Sequence, residues 1–160
     1  MIHVRAAGPA DARAMAELLN EVIAAGGTTA LTDPVSRAEI ALWMGTDPRA
    51  AWHLAEDDGG EVLGFQWIEP HAELGARVAN IATFARVGRT GLGIGSALFD
   101  ATRTAAAELG YDWINAEIRA DNSGGLAYYR SRGFEDYARR TGVRLGDGTV
   151  VDKILRRYDL

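Results

Sequence analysis

The chain has no cysteine, which excludes disulfides, thiolate nucleophiles and cysteine-based metal centres together. Histidine is scarce: His3, His53 and His71 lie far apart without ligand spacing, so no metal site is expected. Lysine is nearly absent, Lys153 being the sole one. No apolar run reaches membrane-spanning length, and the opening Met-Ile-His-Val-Arg lacks the apolar core of a signal segment. A cytoplasmic protein with no membrane partner is therefore expected. Positive charge is also in deficit: 17 Lys and Arg against 22 Asp and Glu leave a net charge of −5, which argues against a nucleic-acid partner. What remains is ordinary globular material, 160 residues that are 48% apolar and 24% charged, read as a single domain over 1–160 with its own core.

The local patterns alternate between strand and helix. Ile2 to Ala6 reads as a strand, and Gly8-Pro9 opens a helix whose apolar positions are Ala14, Met15, Leu18, Leu19, Val22 and Ile23. Ser36-Arg37-Ala38-Glu39 is a capping-box signature for a second helix to about Met44. Ala51 to Ala55 and Glu61 to Ile68 flank Asp57-Asp58-Gly59-Gly60, a hairpin. Arg77 to Ala85 is small or apolar on both faces, as a central strand is. A helix ending at Gly110, a strand from Tyr111 to Ile118, and a short helix from Ser123 to Arg132 follow. Phe134 to Leu145 and Val150 to Tyr158 then form a last hairpin. The order β-α-α-β-β-β-α-β-α-β-β predicts a mixed α/β (α+β) domain and excludes a doubly wound sheet.

Two stretches carry the chemistry. In Thr90-Gly91-Leu92-Gly93-Ile94-Gly95-Ser96, three alternate glycines join an apolar strand to a helix. Such a turn lets backbone approach a ligand closely and aims unpaired helix-terminal N–H groups at an anion, the arrangement that holds a phosphate. A P-loop is excluded because no lysine follows the last glycine, and a dinucleotide fingerprint because Ser96 or Leu98 stands where its third glycine belongs. Downstream, Glu117 projects from the polar face of its strand with Trp113 and Asn115, opposite Ile114, Ala116 and Ile118. Asn122 precedes the next helix, Tyr129 lies seven residues on, and Gly133-Phe134 turns into the following strand.

These two stretches, in this order and separated by one helix and one strand, resemble the GNAT superfamily of acyl-CoA-dependent N-acetyltransferases. Its phosphate loop, Gln/Arg-x-x-Gly-x-Gly/Ala, falls on Thr90 to Gly95, and its Asn, Tyr and Gly-Phe fall on Asn122, Tyr129, Gly133 and Phe134. The resemblance implies a mostly antiparallel seven-stranded sheet with four helices, and acetyl-CoA as co-substrate. Backbone groups of Thr83, Phe84 and Ala85 would pair with the pantetheine arm. Amides from Gly91, Leu92, Gly93, Ile94, Gly95 and Ser96 would hold the pyrophosphate, and Asn122 would touch the pantetheine. Tyr129 would protonate the departing thiolate. Glu117 resembles, by its Glu-x-Arg-x-x-Asn context, the base of the ribosomal-protein alanine acetyltransferases, with Glu69 and Asn80 the alternative anchors for a water-mediated base. Departures are Thr90 at the Gln/Arg position, and Ala85 and Gly125 where larger or methyl-bearing residues are usual. Tyr128 is read as packing, and Trp43, Trp52, Trp67 and Trp113 as core or as walls of an acceptor pocket.

The acceptor is expected to be a primary amine. Leu19-Asn20-Glu21-Val22-Ile23 and Thr28-Thr29 resemble the phosphinothricin or methionine-sulfone acetyltransferase branch, which implies a small amino-acid-like molecule. The competing reading is a silent acyl-CoA-binding sensor or assembly module. The resemblance also allows a homodimer through the C-terminal hairpin.

Overall fold

The computed structural model describes residues 1–89 and 93–160; the expectations placed on Thr90, Gly91 and Leu92 lie outside them. Strand β1 (His3–Ala6) leads through a 3-10 turn (Pro9–Asp11) into α1 (Ala12–Ala25) and α2 (Arg37–Met44). Then follow β2 (Ala51–Glu56), β3 (Val62–His71), β4 (Gly75–Ala85), α3 (Ile94–Glu108), β5 (Trp113–Arg119), α4 (Ser123–Ser131), β6 (Glu135–Arg144) and β7 (Val150–Asp159). The strands form one seven-stranded sheet in the order β1-β2-β3-β4-β5-β7-β6, antiparallel except between β4 and β5. This is the mixed sheet with four helices that the element order predicts.

The first helix differs from expectation in its start. The Asp11 carboxylate accepts the Gly8 N–H at 2.8 Å and is paired with the Arg5 guanidinium, so the chain tightens into a 3-10 turn before α1 begins. The capping box on α2 forms as read, with Ser36 Oγ accepting from the Glu39 N–H and Glu39 reaching back to the Ser36 N–H.

Each sheet face carries two helices. Met15, Leu18 and Leu19 of α1 and Ile40 of α2 bury against Leu54 and Phe65 on one face. Phe99 and Ala106 of α3 and Tyr129 of α4 bury against Ile114, Ala116 and Ile118 on the other. Burial of each large aliphatic side chain contributes about 1.5–3 kcal/mol. Gly64 permits the close seat of α3: a Cβ there would lie 2.8 Å from Ile94 Cγ2 and 3.0 Å from the Phe84 carbonyl oxygen. β4 is central, as its two-sided apolar pattern predicts.

Candidate active site

The site begins as a fork in the sheet. The parallel ladder between β4 and β5 runs only from Val78 to Asn80 and from Trp113 to Asn115. Its last rung is clasped by side chains: Asn115 Nδ2 donates to Asn80 Oδ1 at 3.1 Å, and the Tyr137 hydroxyl donates to Asn115 Oδ1. Beyond that clasp β5 follows β7, while Ile81 to Ala85 keep β3 as their only strand partner among the described residues. Backbone donors and acceptors on that side of β4 therefore face an opening. An extended ligand chain with its own amides can pair there as an added strand does.

On the α3/α4 face the opening continues as a groove of about 660 Å³. Gly93 caps α3 in the left-handed conformation (φ 80°), and no side chain caps the helix there. The first N–H groups of this 15-residue helix thus present the positive end of its dipole to the groove. The Tyr128 ring lies over this turn, so that a Cβ on Gly95 would stand 2.5 Å from its Cε1. Its hydroxyl donates to the Gly95 carbonyl at 2.8 Å, so Tyr128 tethers the turn as well as packing. Burial pushes the Tyr128 phenol up to about 12.

Asn122 caps α4, Oδ1 accepting from the Gly125 N–H at 3.0 Å. A Cβ at Gly125 would come within 2.4 Å of Asn122 Nδ2, so the amide occupies space that a larger residue here would fill. The other end of the Asn122 amide donates to the Thr28 carbonyl at 3.2 Å. Tyr129, one residue beyond Tyr128, is 7% exposed, and its hydroxyl lies 2.7 Å from Thr83 Oγ1. Burial raises its proton affinity well above the ordinary tyrosine value, with the Thr83 contact opposing in part. Its phenol is neutral and proton-bearing throughout the physiological range.

A second cavity, of about 490 Å³, opens on the α1/α2 face. Thr28, Thr83, Phe84, Asn122 and Tyr129 line both spaces, which therefore meet at the fork. Trp43 and Trp67 wall the second cavity; Trp52 is buried behind, stacked on Trp67 at 4.2 Å and 3°. Trp113 takes no part and lies beneath the Arg157 guanidinium at 4.1 Å. The α1–α2 connection covers the cavity and is strapped down at three places. Asn20 exchanges two hydrogen bonds with the Val35 backbone (2.9 and 2.7 Å), Arg119 Nη1 donates to the Thr29 carbonyl (3.0 Å), and Asn122 holds Thr28.

Two carboxylates and one ammonium face this cavity. Glu117 Oε1 lies 3.2 Å from Arg140 Nε and 3.6 Å from Lys153 Nζ. Glu69, cross-strand partner of Asn80, has no ion pair among the described residues. Burial raises the proton affinity of Glu69, the Trp67 indole acting in the opposite sense. The two carboxylates thus differ in kind: one is neutralised by cations, the other is desolvated.

Of the residues singled out in the sequence, Thr83, Phe84, Ala85, Gly93, Ile94, Gly95, Ser96, Asn122 and Tyr129 line the groove together. Ile94 offers its backbone only, its side chain being buried against Ala55, Leu63 and Leu98. Glu117 and Glu69 stand in the other cavity, and Gly91 and Leu92 fall outside the described residues. Sequence reasoning missed Lys153, Arg140, Arg119 and Gln66 as members of the site. Gln66 did carry a signal, being a lone amide inside the apolar run Val62 to Ile68. A buried amide must find partners.

Known proteins share this architecture. YwnH of Bacillus subtilis (strain 168), provisionally named a phosphinothricin acetyltransferase, is 27% identical over 162 aligned positions, covering 98% of this chain and 94% of that protein. A crystal structure of a GNAT superfamily phosphinothricin acetyltransferase from Sinorhizobium meliloti in complex with acetyl-CoA superposes with a TM-score of 0.90 at 24% identity, over 99% of this chain and 88% of that one. A ribosomal-protein-alanine N-acetyltransferase from Brucella melitensis gives a TM-score of 0.90 at 23% identity, over 99% of each chain. Residues 13–134 match the acetyltransferase (GNAT) family, and with the forked sheet and the capped helix in place the chain belongs to that family as an acyltransferase.

Proposed function

We propose that this enzyme transfers an acetyl group from acetyl-CoA directly to the primary amine of a small amino-acid-like molecule, both substrates being bound at once. The observation that carries this reading is the meeting of two unlike cavities at Tyr129. The groove is built to hold acetyl-CoA: the open edge at Thr83, Phe84 and Ala85 suits the amides of its arm. The α3 N-terminus from Gly93 to Ser96 suits its pyrophosphate. Asn122 stands at the junction, where it bears on both the arm and the loop above. When bound, acetyl-CoA supplies an activated thioester and a sulfur leaving group.

The second cavity suits a zwitterion. Lys153 is placed to pair with an acceptor carboxylate, and Glu117 with Arg140 orients the lysine. Glu69 takes the proton from the acceptor ammonium, directly or through a water at Asn80. A carboxylate with raised proton affinity and no competing cation is the better base of the two. Tyr129 holds a proton at its hydroxyl for the sulfur that leaves. The names of YwnH and of the Sinorhizobium meliloti protein support an amino-acid-like acceptor.

The test is CoA release, followed with a thiol reagent, across paired amines with and without an α-carboxylate. The protein has no cysteine and contributes no background. Turnover restricted to carboxylate-bearing amines is expected. Equal turnover of the decarboxylated partners would remove the zwitterion assignment, and turnover only of peptide N-termini would replace the acceptor class.

A further inference from the structure

The hydroxyls and amides around Tyr129 form a chain whose proton directions follow from one end. The Gly95 carbonyl can only accept, so the single proton of the Tyr128 hydroxyl goes to it (2.8 Å). The Tyr128 oxygen must then accept from Gln66, 3.1 Å away, which places the amide nitrogen, not the oxygen, toward it. Gln66 is wholly buried, and its Nε2 carries a second proton, directed at Thr83 Oγ1 at 2.8 Å. Thr83 has its own proton left to give, and its one further partner among the described residues is the Tyr129 hydroxyl at 2.7 Å. Gln66 Oε1 has no partner among the described residues, so the amide's orientation is set by its two donor bonds.

We infer that Gln66 and Thr83 are positioning residues that donate into the Tyr129 oxygen and thereby turn the Tyr129 proton out toward the fork. The inference rests on the reading of Tyr129 as the acid. It deepens that reading by explaining why an acid so deeply buried delivers its proton in one direction. A phenol that donated to Thr83 would have its only proton engaged away from the cleft. With Thr83 donating instead, the phenolate left after transfer receives a ready hydrogen bond at a buried oxygen, where such a bond is worth more than in solvent. Tyr128 packs against Tyr129, ring centroids 4.9 Å apart, and its proton is committed to Gly95. The same chain links the acid to the α3 turn, since its fixed end is a carbonyl of the first turn of that helix.

The test places 2,3,5-trifluorotyrosine at position 129, which brings the phenol into a titratable range, and reads phenolate absorbance without ligand. Replacing Thr83 by valine should move that titration upward by about one pH unit, the direction expected for losing a donor to the phenolate. A downward move, or none, overturns the inference, because losing an acceptor from the neutral phenol has the opposite sign. In turnover, Thr83→Val should lower kcat about tenfold, and Thr83→Ser, which keeps the hydroxyl, should recover most of it. Tyr129→Phe should lower kcat about 100-fold while CoA binding by calorimetry is kept. The double variant Thr83→Val/Tyr129→Phe should be no slower than Tyr129→Phe alone. If Tyr129→Phe is as fast as the parent, the acid reading itself fails; if Tyr129→Phe is slow but Thr83→Val is not, only the positioning chain fails.

Discussion

The two cavities that meet at Tyr129 are made of different things. The groove on the α3/α4 face offers backbone: a strand edge with no further strand partner among the described residues, a helix terminus capped by Gly93, and glycines at 95 and 125 where a Cβ would strike Tyr128 or Asn122. The cavity on the α1/α2 face is built of side chains: two tryptophans, two glutamates and a lysine, brought from α2, β3, β5 and β7, under a strapped connection. In the proposed function, backbone recognises what every acyl-CoA shares, its amides and phosphates. Side chains recognise what distinguishes one acceptor from another. On that reading one groove sets the reaction and the other the substrate.

That division is open to damage on each side separately. Among changes confined to one of the two cavities, the largest effect is expected on the acceptor side from Glu69→Gln, which should lower kcat/KM by about 50-fold near neutral pH if Glu69 is the base. Because burial raises its proton affinity, the acid limb of the parent kcat/KM profile should lie above the ordinary glutamate range, activity rising with pH as the carboxyl loses its proton. The limb should vanish in the variant; a limb that persists unchanged would move the base to Glu117. Next comes Gly95→Ala, on the other side. Its Cβ must displace the Tyr128 ring, at a cost of about 1–3 kcal/mol. Calorimetry should show acetyl-CoA binding weakened about tenfold, with the order of preference among amines unchanged. The smallest effect is Lys153→Met, expected to raise KM for a carboxylate-bearing amine about fivefold and to leave KM for acetyl-CoA as it was, the value of one partly exposed ion pair. A shift in the acetyl-CoA constant instead would mean that the two cavities are not separable.

The same contrast decides how much was legible beforehand. The turn from Gly93 to Ser96 and the run from Asn122 to Phe134 are local: within each, the groove-lining groups lie a few residues from one another, and chain geometry alone brings them together. Fold class, the capping box on α2 and the placement of Tyr129 follow from such patterns. The choice between Glu117 and Glu69 does not, because the cations that neutralise Glu117 arrive from β6 and β7. Tyr128 looked like packing because its offset was wrong for the acid, yet it anchors the hydrogen-bond chain through a carbonyl 33 positions away. Gly125, a departure from the usual pattern, is accommodated by the inward turn of the Asn122 amide.

By itself, then, the sequence determined the order of elements, the family to which the chain belongs, and the chain segments that line the groove on the α3/α4 face, since hydrophobic period and glycine spacing act over one turn or one strand. Only the tertiary structure decided where β4 and β5 part, which carboxylate is desolvated and which is paired, and which polar side chains surround the Tyr129 hydroxyl. Those depend on burial and on partners 17 to 62 positions apart along the chain, as Gln66 is from Thr83 and from Tyr128. Desolvation and hydrogen-bond direction are properties of a packed environment, and no stretch of chain carries them alone.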